Sequence, residues 1–337
     1  MRPAAVALAP SLVDDDARKL CALCTEPFTT LRRRHHCRCC GDVVCAACSG
    51  RKRLLPLAAP GYDRERRVCD ECLPTAGTTA PCAARCANII VSPSETDPYR
   101  KQEAVRQLAT LLASRAKAAP AAAAATAAAA GSKAAAGPPG LREMERCGGC
   151  ALLFRALAPF LSDDVPLDVC AHACELLGAA LFMASQFSPA AWRRCAAAMP
   201  PPTLAGLLAC LEVAPAREKA ARVLYYVAAA AAAAPPDGGG GSSDGKDGNG
   251  RRDILKDLHA AGALPAILRA LASLSSSRQG IFVWLCAAVR PLVAEQPKSA
   301  LQLLRDGFVP ALVAVLGSPF TDAAAHACAV LVAAIKA

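Results

Sequence analysis

Four Cys-x-x-Cys pairs fall within one short stretch near the start of the chain: Cys21/Cys24, Cys37/Cys40, Cys45/Cys48 and Cys69/Cys72. Such a turn lets two sulfurs reach one tetrahedral zinc ion at about 2.3 Å each. Two pairs complete one four-cysteine site, so four pairs predict two structural zinc ions. The same pattern in a secreted module would read as disulfides. No convincing signal peptide precedes it here, and CxxC pairs favour metal in cytosolic proteins.

The cysteines are interleaved with positive charge. Arg32-Arg33-Arg34-His35-His36-Cys37-Arg38-Cys39-Cys40-Gly41 sets five basic or protonatable side chains ahead of the first of three cysteines. Zinc would balance the sulfurs, and an anionic ligand would balance the arginines. Arginine presents a planar fork that bonds phosphate oxygens two at a time. Alternation along a strand sends Arg34, His36 and Arg38 to one face, and Arg33, His35 and Cys37 to the other. Arg67 lies two residues before a cysteine of the last pair, so a metal site would fix its position.

From Leu12 to Cys72 the chain resembles the FYVE zinc-finger family. The basic motif is Arg33-Arg34-His35-His36-Cys37-Arg38, followed by Cys40-Gly41, and the late motif is Arg67-Val68-Cys69. The family's N-terminal Trp-x-x-Asp reads Leu12-Val13-Asp14-Asp15, with the Asp present and the Trp replaced. The resemblance implies a small α+β two-zinc cross-brace fold. Cys21, Cys24, Cys45 and Cys48 would hold one zinc, and Cys37, Cys40, Cys69 and Cys72 the other. It implies binding of phosphatidylinositol 3-phosphate on endosomal membrane. Arg38 and Arg67 would grip the 3-phosphate, Arg33 and Arg34 the membrane-side phosphate, and Asp15, His35 and His36 the sugar hydroxyls. Thr30 and Leu31 would form a membrane-insertion loop. Cys40 keeps the ligand spacing, which leaves Cys39 as a free thiol.

Other readings of the finger are a RING-like ubiquitin ligase or a protein-interaction scaffold without lipid binding. A RING normally places a His ligand near the middle of its series, whereas here Cys40-x-x-x-x-Cys45 occupies the middle and His35-His36 precede the third cysteine. Binding through one leucine and a few surface cations would be modest, and a homodimer would raise it by avidity.

The chain is 337 residues long with a net charge of +10, enough for two or three domains with an acidic partner. Aromatic residues are only 4%, which argues against a single-strand nucleic-acid binder that works by stacking. No stretch reads as about 18 strongly apolar residues, so no transmembrane helix is expected. The organisation expected is a finger at 10–75, a linker at 76–96, and armadillo-like helical repeats at 97–337 with low-complexity insertions at 117–140 and 235–252. Asp97-Pro98 is a helix start. Cys82 and Cys86, in the linker, read as buried or free thiols.

The repeat is visible late in the chain. Gly262-Ala-Leu-Pro-Ala-Ile-Leu-Arg-Ala-Leu-Ala-Ser273 matches Gly307-Phe-Val-Pro-Ala-Leu-Val-Ala-Val-Leu-Gly-Ser318 at an offset of 45 (307 minus 262). That spacing resembles armadillo and HEAT repeats. Fainter copies start at Gly148 and Pro202. Cys170, Cys174, Cys195, Cys210, Cys286 and Cys328 fall in apolar helices as small core residues. Cys147/Cys150 reads as a repeat turn. Trp192 and Trp284 are expected to fill gaps left by small alanines. His172, His259 and His326 are isolated, and no catalytic constellation is expected. The composite reading is a cytoplasmic adaptor, peripheral on early endosomes in membrane trafficking, whose repeats recruit a protein partner.

Overall fold

The computed structural model describes residues 9–56, 62–78, 82–127, 150–187, 189–233, 254–274, 279–295, 309–316 and 321–336. The chain divides into two compact units, 1–156 and 157–337.

In the first unit, β1 (His35–His36) pairs antiparallel with β2 (Val43–Val44), in the register His35 to Val44 and His36 to Val43. A second hairpin pairs β3 (Arg51–Arg53) with β4 (Arg66–Val68), setting Lys52 opposite Arg67. Strands this short cannot build a sheet with an apolar face of its own. Their core is sulfur-rich instead. Cys21, Cys37, Cys39, Cys40, Cys45, Cys69 and Cys72 are buried together with Val44, Leu55 and Val68.

Two of the CxxC turns end in left-handed backbone just after the second cysteine. Thr25 has φ 59° and Gly41 φ 88°. Gly41 N–H donates to Cys37 O at 2.8 Å, while its carbonyl accepts from Val13 N–H at 3.0 Å. A β-carbon at Gly41 would lie 2.1 Å from the carbonyl oxygen of Ser11. Gly41→Ala therefore combines strained φ with a backbone clash, and we expect it to destabilise the finger by more than about 2 kcal/mol. A thermal melt of the zinc-loaded protein checks this, and an unchanged midpoint would contradict it.

Residues 76–96, expected to be a linker, instead contain helix α1 (Ala83–Val91), buried along nearly its whole length. Arg85 and Asn88 are 5% and 2% exposed. The Pro and Gly residues on either side had read as a break. They bound a helix whose Ala84, Cys86, Ile89 and Ile90 are core. Helix α2 (Pro98–Ala127) packs against α1. Asp97 Oδ1 caps it, accepting from the N–H groups of Tyr99 at 2.9 Å and Arg100 at 3.4 Å. α2 belongs to the first unit, although the sequence placed it with the repeats. It runs into the alanine tract as far as Ala127, and the rest of the 117–140 insertion lies outside the described residues.

Beyond this the chain is helical: α3 (Cys150–Leu157), α4 (Leu167–Phe187), α5 (Pro189–Ala197), α6 (Pro201–Ala209), α7 (Ala214–Ala232), α8 (Ile254–Ala260), α9 (Ala263–Ala272), α10 (Gln279–Glu295), α11 (Val309–Leu316) and α12 (Thr321–Lys336). A short helix followed by a long one recurs as α3–α4, α6–α7, α9–α10 and α11–α12. The four repeat copies noted in the sequence fall on the four short helices. The long helices stack in order, α4 on α7, α7 on α10 and α10 on α12. The short ones do likewise, α6 on α9 and α9 on α11. Each pair covers the apolar face its neighbour leaves open, which is the physical basis of an armadillo-like helical stack. Gly262, at φ 75°, reverses the chain between α8 and α9. The insertion at 235–252 and Cys147 lie outside the described residues.

Two expectations need correction. α4 has the length and apolar composition of a membrane span, but 61% of that stretch is buried, packed on α5 and α7. Trp192 and Trp284 are only half-buried. They form an aromatic cluster with Tyr225 and Tyr226 rather than filling alanine gaps. The Trp284 and Tyr225 rings are 4.9 Å apart, and those of Trp192 and Tyr226 6.4 Å.

Candidate metal centres and basic face

The eight expected ligands come together in two groups, Cys21/Cys24/Cys45/Cys48 and Cys37/Cys40/Cys69/Cys72, with all sulfurs of a group within 4.8 Å of one another. The first pair joins the third, and the second joins the fourth, as the resemblance implied. Tetrahedral zinc with bonds of about 2.3 Å requires sulfurs about 3.8 Å apart, and Cys24 Sγ lies 3.8 Å from Cys45 Sγ. Backbone N–H groups steady the sulfurs: Cys45 N–H donates to Cys21 Sγ, and Cys69 N–H to Cys37 Sγ, each at 3.3 Å. Hydrogen bonds from Cys40, Cys69 and Cys72 hold the Cys37 thiol far below its ordinary pKa, and those to Cys37, Cys39 and Cys40 drive Cys72 far above it. One anionic sulfur shares its neighbours' protons, and a divalent cation takes over that role. The donor set fits two structural zinc ions.

Cys39 is neither a ligand in these groups nor an exposed thiol. It is 1% exposed, and Arg85 of α1 reaches it twice, from Nε to the Cys39 carbonyl at 2.6 Å and from Nη2 to Sγ at 3.1 Å. Asn88 Nδ2 donates to Cys40 O at 3.0 Å, so α1 is tied to the finger by two buried polar side chains. Cys82, expected as a buried or free thiol, has its sulfur 3.7 Å from Cys72 Sγ, in a third group with Cys39 and Cys72. The Arg85 guanidinium donates to one sulfur of that group, Cys39 Sγ.

The basic residues divide between two sets of partners. Arg34 Nε donates to Arg18 O at 3.3 Å, and its guanidinium stands 5.0 Å from the Phe28 ring centre. His36 Nε2 lies 2.7 Å from Val13 O and 3.9 Å from Asp15 Oδ1. A carbonyl only accepts, so His36 donates from Nε2. Arg34, His36 and Asp15 thus turn toward the N-terminal segment, which Arg18 straps to buried Asp42 at 3.4 Å. The other set surrounds His35. Burial, then the charges of Arg67 and Arg33, lower its pKa. Arg38 N–H donates to Arg67 O at 2.8 Å, joining the two hairpins and setting those residues side by side. Arg67 Nη1 donates to Ser49 O at 2.8 Å, which fixes part of its fork.

Thr30 and Leu31 lie at the tip of a turn closed by Thr29 N–H to Arg32 O at 3.1 Å and Arg32 N–H to Thr29 Oγ1 at 3.0 Å. Leu31 is 96% exposed. Leu12, in place of the family Trp, is 40% exposed and borders a cavity of about 340 Å³ lined also by Arg18, Asn88 and Val91. Sequence reasoning missed Arg18, Asp42, Arg85 and Asn88. Arg85 and Asn88 stand one helical turn apart in the otherwise apolar run Ala83–Val91, a signal that could have found the last two.

A family model described as FYVE zinc finger matches residues 11–78. Lateral signaling target protein 2 homolog of Brugia malayi is 48% identical over 60 residues, 18% of this chain and 9% of that protein. Pleckstrin homology domain-containing family F member 1 of Homo sapiens is 44% identical over 72 residues, 21% of this chain and 25% of that protein. This chain therefore spans a quarter or less of those relatives' length. A designed armadillo repeat protein aligns with 74% of this chain and 98% of its own, at TM-score 0.36 and 16% identity. An engineered protein aligns with 74% of this chain and 78% of its own, at TM-score 0.46 and 17% identity. With the cross-braced sulfurs, the two short hairpins and the sequence match all in the same segment, residues 11–78 of this chain belong to the FYVE zinc-finger family.

Proposed function

We propose that this chain is a non-catalytic adaptor whose finger reads phosphatidylinositol 3-phosphate on endosomal membrane while its helical stack recruits a protein. The backbone hydrogen bond from Arg38 to Arg67 carries this reading. It seats two arginines from separate hairpins next to each other, within electrostatic reach of Arg33 and His35. A phosphate bound there meets several cationic donors on a rigid, zinc-braced frame. Arg34, His36 and Asp15 support the site from the N-terminal side, with His36 Nδ1 left to face a sugar hydroxyl. The exposed turn at Thr30 and Leu31 supports membrane contact. Arg51, Lys52 and Arg53, all exposed, add attraction to an anionic surface, each about 1 kcal/mol and less at high salt. A homodimer would multiply a modest single-site affinity.

Burying Leu31 in the lipid interface is worth about 1.5–3 kcal/mol. Leu31→Glu should therefore lower partitioning onto vesicles containing phosphatidylinositol 3-phosphate by at least about tenfold. Affinity for the soluble headgroup, inositol 1,3-bisphosphate, should stay unchanged. Vesicle sedimentation and calorimetry with the soluble headgroup separate the two. Unchanged partitioning would remove the turn from the membrane contact.

A further inference from the structure

A second buried thiol cluster lies in the helical unit, far along the chain from the finger. Cys170 and Cys174 stand one turn apart on α4, and Cys210 closes the C-terminal end of α6. Their three sulfurs lie within 4.8 Å of one another, and Cys170 Sγ is 3.2 Å from Cys210 Sγ. The residues are 3%, 0% and 1% exposed. Three thiols at so close an approach are more than three small apolar residues that share a core.

The chemistry follows from what the group contains. No histidine or carboxylate joins it among the described residues. At this burial the three sulfurs are shut off from bulk water. Structural zinc takes four ligands. An all-sulfur set limited to three selects a soft ion content with low coordination, and among first-row metals that is Cu(I). Sulfurs around such an ion at about 2.3 Å would stand about 4.0 Å apart, which the trio reaches by side-chain shifts of less than the present gap. We propose that Cys170, Cys174 and Cys210 form a buried three-thiolate site for cuprous copper that ties α4 to α6. Each Cu–S bond formed from a thiol releases one proton to solvent, and the copper stays in the +1 state.

The test uses the full chain with both finger zincs bound, titrated anaerobically with Cu(I) against a competing cuprous chelator. The expected result is one tightly bound copper per chain with zinc retained. Cys170→Ala and Cys210→Ala should each weaken that uptake at least about tenfold. Cys286→Ala, at a buried cysteine on α10 outside the group, should leave it intact. Because a core variant can unfold, the copper-edge X-ray absorption of the wild-type protein is the companion measurement, and it does not see the zincs. A shell of three sulfurs supports the site. Nitrogen or oxygen in the shell, uptake only with loss of zinc, or no uptake would each overturn it.

Discussion

Cys69→Ser is expected to cut the zinc content from two ions per chain to one or fewer and to unfold the finger. Cys69 is 2% exposed at the end of β4, and its N–H also steadies Cys37 Sγ at 3.3 Å. The variant removes one ligand sulfur while keeping the backbone N–H that supports Cys37 Sγ, so its effect reports on zinc ligation itself. Structural zinc contributes apparent free energies of about 10–16 kcal/mol in small fingers, comparable with the whole stability of an ordinary domain at about 5–15 kcal/mol. The β strands here are two and three residues long and bury mostly cysteine, so little else holds them. Elemental analysis and a chemical melt check the outcome. Two zincs retained at wild-type stability would contradict the assignment of Cys69.

Arg85→Ala should be the most damaging change outside the ligands. The guanidinium is buried and makes bonds to Cys39 O and Sγ. Removing it leaves the buried Cys39 carbonyl and sulfur without those bonds, at a cost of about 1–3 kcal/mol. Arg85→Lys keeps the charge but loses the two-point fork and should fall between. Denaturant-driven zinc release from the full chain reads the effect. A shift within about 0.5 kcal/mol, as at an ordinary surface site, would show that α1 does not brace the finger.

The sequence made the metal sites legible because ligand chemistry is local. A CxxC turn specifies its own geometry, and the eight sulfurs could be named before any fold was known. The pairing of those turns is non-local and came only with the family resemblance. The repeats were legible as period and as proline position, since Pro265 and Pro310 mark helix starts that the fold realises in α9 and α11. Helix α1 was not legible. Its flanking Pro74, Pro81 and Pro93 read as breakers, and a buried Arg85 looks like a surface residue until its partner Cys39, 46 positions earlier, is in place. Strand alternation separated Arg34 and His36 from Arg33 and His35, but it set Arg38 with the first pair, whereas Arg38 N–H bonds Arg67 O beside the second. It could not reveal that the N-terminal segment occupies the first pair through Val13 and Arg18, because that contact depends on Gly41 and Asp42 folding the segment back.

The most direct test of the central claim is vesicle flotation with the zinc-loaded full chain, comparing phosphatidylinositol 3-phosphate with other phosphoinositides and Arg38→Ala with wild type. Arg38 is not a metal ligand, so both zincs should remain in the variant. The expected result is selective flotation with the 3-phosphate lipid, reduced at least about tenfold by Arg38→Ala, the loss of one charge-assisted phosphate contact. Equal flotation with all phosphoinositides, or wild-type binding by Arg38→Ala with both zincs in place, would contradict a headgroup site built on Arg38 and Arg67.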